Sequence, residues 1–131
     1  MKDTDYARSL LIKAEHDLSL AEIGLEHGAP LDTVCFHLQQ AVEKLLKSVL
    51  ACQNVDYPLT HNLVLLVNLA GKECPALAEF RHALAGFLDY AVRMRYDAAL
   101  YPEPEEAQAA MQTTKKIREV VHGWLPSEAL P

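Results

Sequence analysis

Residues 35–50, CFHLQQAVEKLLKSVL, carry the pattern on which the fold turns. With each residue set about 100° from the last and His37 as origin, Ala41, Leu45, Leu38, Val49, Val42, Cys35, Leu46 and Leu50 fill an arc from about 40° to about 220°. A helix on the outside of a small bundle needs an apolar stripe of only roughly 100°. The wider arc predicts a central helix that touches neighbours on two sides. Gln39 falls inside the arc, between Leu46 and Leu50, and Phe36, at about 260°, extends the apolar surface. Gln39 is expected either to hydrogen-bond across the core or to fix register in a seam between two copies of the chain. Glu43, Lys47, Gln40, Lys44 and His37 occupy the remaining arc. That arc reads either as a solvated face stitched by a Glu43–Lys47 pair or as a stripe able to hold a phosphate or a nucleotide edge.

The same 3-4 spacing extends to both sides. Residues 4–27 place Ala7, Leu10, Leu11, Ala14, Leu18, Ala21 and Leu25 on one face, and Gly28 and Pro30 stop that helix. Asp32 is the expected cap of the central helix, which runs to about Ala51. Beyond Pro58, Thr60 is the expected cap of a short third helix, closed by Gly71. Pro75 suits the first turn of a fourth helix reaching about Ala98, with Leu77, Phe80, Leu84, Phe87, Leu88 and Ala91 inward. A proline-broken, acidic connection, LYPEPEE, leads into a fifth helix ending near His122, with Ala107, Ala110, Met111, Thr114, Ile117 and Val121 on one side. No alternating β-branched run suggests a strand. The expectation is an all-α, antiparallel up-and-down bundle of about five helices, because short connections make neighbours antiparallel. Trp124 and the tail 125–131 are expected to fray or pack loosely.

The 131 residues fit one domain, 1–131, large enough to bury a core without disulfides or a structural metal. Half are apolar and 23% charged, the balance of a soluble globular protein. The net charge of −6 gives a global field that repels nucleic acid, so contact with phosphate requires a local basic patch. Cys35, Cys52 and Cys74 show no CxxC spacing and read as reduced thiols of a cytoplasmic protein. The N-terminus lacks the apolar run of a signal peptide, and no segment approaches the roughly 20 apolar residues of a membrane span. The histidines have no metal-ligand spacing and no glycine-rich phosphate loop is present, so neither metal nor cofactor is expected.

CFHLQQAVEKLLKSVL, followed by PLTHNLVLLV and YAVRMRYD and preceded by AEHDLSLA, resembles in order the HEPN domain, the higher eukaryotes and prokaryotes nucleotide-binding family. The resemblance implies a small helical bundle like the substrate-binding subunits of nucleotidyltransferases. It also implies a homodimer and a separately encoded minimal nucleotidyltransferase as partner, in a toxin–antitoxin-like pair. Many members of the family are metal-independent ribonucleases using an Arg and a His separated by four to six residues. Here the positions at that spacing after Arg93 are Ala98, Ala99 and Leu100, and after Arg95 they are Leu100, Tyr101 and Pro102. Arg118 precedes His122 with only three residues between, and Arg8 precedes His16 with seven. The general acid–base histidine of the ribonuclease motif is therefore missing.

The candidate ligand-binding residues are Arg93, Arg95, Tyr96, Asp97, His37, Gln40, Lys44, Lys47 and His61, with Gln39 and Phe36 as polar core or dimer positions. Two arginines and a tyrosine suit a phosphate and a stacked base, and they equally suit helix-dipole and salt-bridge pairing. Arg93 or Arg95 would complete a basic patch if the fourth helix brought them to His37, Lys44 and Lys47. The expected function is a non-catalytic nucleotide- or RNA-binding partner of a nucleotidyltransferase. The alternatives are a ribonuclease toxin with a non-standard set such as Arg93, Arg95, Tyr101 and His37, and a ligand-free adaptor.

Overall fold

The computed structural model describes residues 3–87, 90 and 93–131, with the side chains of Met94 and Arg95 outside the described part. Helix α1 spans Thr4–Glu26, α2 Leu31–Cys52 and α3 Leu63–Glu73. A 3₁₀ segment, Pro75–Phe80, leads into α4, Arg81–Ala85, and α5 spans Arg93–Tyr96. Helix α6, Pro104–Trp124, is followed by a 3₁₀ turn, Ser127–Ala129. The fold is an all-α bundle, and no strand occurs among the described residues. No described helix is long and apolar enough to cross a membrane.

The wide apolar arc of α2 makes it the central element: α1 packs along it, and α3, α5 and α6 also touch it. Leu38, Leu45, Leu46 and Leu50 are fully buried, each stabilising the fold by about 2 kcal/mol relative to exposure. Ala7, Leu11, Ala14, Leu18 and Ala21 face them from α1, whereas Leu10 and Leu25 are half-buried at the edge of that stripe. Ala107, Ala110, Met111, Thr114, Ile117 and Val121 of α6 close the core as their spacing predicts.

Several boundaries differ from expectation for identifiable reasons. Asp32 does not cap α2: Pro30 holds the cap position, Asp32 Oδ1 accepts from the Thr33 amide (2.8 Å), and the Leu31 amide donates to Tyr101 Oη (2.7 Å). A phenol from a distant loop thus satisfies a donor at the open helix end. Asn62, not Thr60, caps α3, accepting from the Val64 and Leu65 amides at 3.1 and 3.2 Å, while Thr60 Oγ1 accepts from the Asn62 amide (3.0 Å). Helix α3 continues past Gly71 to Glu73. The single fourth helix expected from Pro75 is divided, its first six residues being 3₁₀ and α4 ending at Ala85. Leu77, Phe80, Leu84 and Phe87 are buried as predicted, and Leu88 and Ala91 lie outside the described residues. Trp124 is helical, and beyond it Leu125 and Ala129 are buried and Arg8 donates to the Glu128 carbonyl, so the tail packs against α1 rather than fraying.

Two left-handed residues close the central pair of helices. Gly28 (φ +76°) follows the end of α1, where the Ala29 amide donates to the Gly24 carbonyl (2.8 Å). Asn54 (φ +54°) follows α2, with Asn54 and Val55 amides donating to the carbonyls of Ala51 and Leu50, a Schellman closure that turns the chain toward α3. A Cβ on Gly28 would meet no atom within 4 Å, so only the backbone conformation opposes a larger residue there. Gly28→Ala is expected to destabilise by about 1 kcal/mol. Gly123, helical in α6 and equally unobstructed, is expected to gain about 0.5–1 kcal/mol on mutation to alanine. Chemical denaturation of the two variants checks both signs, and equal effects would contradict the assignment.

Candidate functional site

The polar stripe of α2 forms two networks, each centred on a carboxylate. The first is Glu43, only 5% exposed. Its Oε1 accepts from His61 Nδ1 (2.8 Å) and Gln39 Nε2 (3.2 Å), and its Oε2 from Lys47 Nζ (3.0 Å). Gln39, fully buried, also reaches the His61 carbonyl (3.3 Å) and accepts from Gln40 Nε2 (2.7 Å). Gln39 thus makes its hydrogen bonds to Glu43, His61 and Gln40 of its own chain, as the core reading expects. A buried carboxylate is costly unless paired and hydrogen-bonded, and three donors from two elements meet that need here. His61 is thereby held at its ring and at its backbone while its side chain remains 66% exposed.

The second network centres on Asp17 of α1. His37 Nδ1 lies 3.1 Å from Asp17 Oδ1, and Lys44 donates to Oδ2. Helix α2 thus presents His37, Gln40, Lys44 and Lys47 in a row, with His61 at the start of α3 beside them. The lysine ammonium groups are already neutralised, Lys44 by Asp17 and Lys47 by Glu43. Lys47 also stands 5.8 Å from the ring centroid of Tyr57. Burial, a hydrogen bond to Tyr6 and the Glu43 charge push the Tyr57 phenol up to about 12, so it stays protonated at neutral pH. With two lysines against two carboxylates, the stripe by itself is close to electroneutral, and the Glu43–Lys47 pair expected from spacing is present.

The remaining candidates lie elsewhere. Arg93 and Tyr96 are exposed on α5, which touches α2. Among the described contacts neither carboxylate network includes them. Asp97 Oδ1 accepts from the Ala99 amide (2.9 Å) and so shapes the turn after α5. The Arg95 side chain lies outside the described part. Tyr101 Oη is held at the start of α2, about 20 Å of helix away from Lys44. Phe36 is half-buried, its ring 5.5 Å from that of His37 in an edge-to-face pair, at a shallow hollow also lined by Asp32 and Thr33. Asp17 and the central role of Glu43 are absent from the sequence-derived site. The signals for them were the Asp in AEHDLSLA and the place of Glu43 at the margin of the aliphatic arc.

The cysteines offer no nucleophile: Cys35, Cys52 and Cys74 are buried, and burial, with Glu106 and Asp32 adding to it, pushes the Cys35 thiol up to about 12. No group of His, Cys, Asp and Glu among the described residues could hold a metal ion. Arg118 and His122 both turn to Glu15 of α1. His122 Nε2 lies 3.3 Å from Glu15 Oε1 yet makes no hydrogen bond. Burial and the Arg118 charge outweigh Glu15 and lower its pKa from the ordinary 6.5. The pair is therefore a structural contact between α1 and α6.

The two kinds of carboxylate contact differ in consequence. Glu43→Ala leaves Lys47 and the fully buried Gln39 without their acceptor and is expected to cost about 3 kcal/mol, whereas Asp17→Ala, whose partners His37 and Lys44 are both partly exposed, costs less; equal losses on urea unfolding would contradict the burial argument. For His122, a folded-state pKa below the unfolded value means that the folded chain binds the proton less well. Its contribution is fully favourable above pH 6.5 and is lost as pH falls below that value. His122→Gln is accordingly expected to reduce the loss of stability between pH 7 and about 5.5. An unchanged pH dependence would show that His122 titrates alike in both states.

The HEPN domain family model matches residues 7–124. Among solved structures, TT1696 from Thermus thermophilus is similar, at 25% identity and a TM-score of 0.78, over 91% of this chain and 98% of that one. No curated protein matches the sequence. With the match running from α1 through the end of α6, the chain belongs to the HEPN domain family.

Proposed function

We propose that this HEPN protein binds a nucleotide or an RNA-like ligand without cleaving it, as a homodimer that works with a separately encoded nucleotidyltransferase in a toxin–antitoxin-like pair. The carrying observation is the preorganised polar face of α2 and α3, in which His61 is exposed yet fixed by Glu43 and Gln39. A ligand meeting this face encounters groups already held in place, which lowers the cost of binding. His37, Gln40, Lys44, Lys47 and His61 would contact base and sugar. Arg93, Arg95 and Tyr96, beside Asp97, would take the phosphates and stack a ring.

The missing histidine at the ribonuclease spacing after Arg93 and Arg95 supports a binding role over cleavage. A partner contact is supported by Leu59, 99% exposed in the loop next to His61. Titration calorimetry with ATP and with a short RNA, on the native chain and on His61→Ala and Arg95→Ala, tests the binding claim. Binding weakened about tenfold or more in either variant is expected, the loss of one charged or well-placed hydrogen bond. Absence of binding by the native chain, or indifference to both substitutions, overturns it.

A further inference from the structure

The α2 face leaves hydrogen-bond acceptors available beside its lysines. His37 and His61 each direct Nδ1 at a carboxylate, Asp17 and Glu43 respectively. A nitrogen facing a carboxylate oxygen must carry the proton, so each neutral ring has its lone pair on Nε2. No described hydrogen bond uses Nε2 of either ring. Gln40 completes the row. Its Nε2 donates to Gln39 Oε1, and no described bond uses its own Oε1. Beside these acceptors, Lys44 and Lys47 each direct one ammonium N–H at a carboxylate, Asp17 and Glu43, which offsets the charge that would draw a phosphate.

Such a surface discriminates by what it can accept. A phosphate brings only acceptors and meets carboxylate-paired lysines and imidazole lone pairs. A hydroxyl brings the donor that Nε2 and Oε1 lack. The pattern repeats along the stripe: one carboxylate oxygen holds an imidazole and the other a lysine, at Asp17 and again at Glu43. His37 and Gln40 are three residues apart on α2 and so share one face, and Gln40 connects through Gln39 to His61.

We infer that this face is a hydroxyl-recognition subsite and, resting on the nucleotide reading above, that it selects ribose over deoxyribose, with His61 Nε2 accepting from a sugar hydroxyl. Phosphate recognition then falls to the arginine-bearing segment of α5.

Calorimetry with ATP and its 2′-deoxy, 3′-deoxy, 2′-fluoro and 2′-amino analogues separates the claims. The expected result is that one of the two deoxy analogues binds about five- to tenfold more weakly than ATP, the value of one hydrogen bond. If the 2′ position is the one recognised, the amino analogue keeps the affinity of ATP, because it can donate, and the fluoro analogue behaves as the deoxy form. His61→Ala is expected to bring the ribo-to-deoxyribo ratio close to one. The substitution removes one of the three donors to Glu43 and leaves those of Gln39 and Lys47, so urea unfolding of the variant is run alongside to confirm that it is folded at the temperature of the titration. Equal binding of ATP and both deoxy analogues overturns this inference and leaves nucleotide binding standing. Discrimination that persists unchanged in His61→Ala also overturns it, and no binding of any analogue overturns both readings.

Discussion

A carboxylate placed inside the central helix of a bundle imposes conditions on everything near it. Glu43 sits on α2 where that helix turns from its aliphatic arc to its polar one, and it is nearly out of water. Leaving it there as an ion requires donors on both oxygens. Lys47, one turn along α2, supplies the first, and Gln39, one turn back, the second. The third, His61, must come from outside the helix, which fixes where the loop after α2 has to end. The Schellman closure at Asn54 and the Asn62 cap of α3 deliver it there. Thus one buried charge links the core, the loop and the exposed ring that is the best site candidate.

This arrangement separates position from charge. A lysine paired with a carboxylate supplies geometry and little field, so an overall charge of −6 is not locally reversed on the α2 face. On the proposed reading, attraction for phosphate would come from the arginines of the α5 segment, since a guanidinium suits bidentate contacts. A nucleotide spanning the two regions would meet neutral hydrogen-bonding groups at one end and cations at the other, the polarity of a nucleotide itself.

Much of this was legible in the residues, for definite reasons. The apolar arc of α2 is fixed by periodicity, and burial of Leu38, Leu45, Leu46 and Leu50 follows from it. Caps were less legible, because a cap is a competition: Asp32, Thr60 and Asn62 are all competent, and the tertiary position of Tyr101 and the path of the loop decided among them. The polar face of α2 was legible in its members and not in its electrostatics. His37, Gln40, Lys44, Lys47 and His61 were identifiable as a set. That Asp17 would reach across from α1, and that Glu43 would be buried rather than solvated, depends on packing that helical spacing alone does not specify.

Among the described residues the pairing of a carboxylate with one cation and one histidine occurs three times: Asp17 with Lys44 and His37, Glu43 with Lys47 and His61, and Glu15 with Arg118 and His122. In the first two the ring is anchored through Nδ1, and Nε2 is left for something else. In the third the ring meets its carboxylate through Nε2 without a hydrogen bond, and burial disfavours its protonated form. The difference follows from helical spacing. Arg118 and His122 are four residues apart, about 40° around α6, so both side chains converge on one acceptor and crowd it. His37 and Lys44 are seven apart, about 10 Å along α2 rather than about 6 Å, and take different oxygens of Asp17, and His61 comes from a separate element, so neither ring shares its carboxylate oxygen with the cation. Three sites with the same residue types therefore divide into one contact that joins helices and two in which an imidazole is held through Nδ1, and that division, more than the residue types themselves, sets the α2 face apart from the α1–α6 contact.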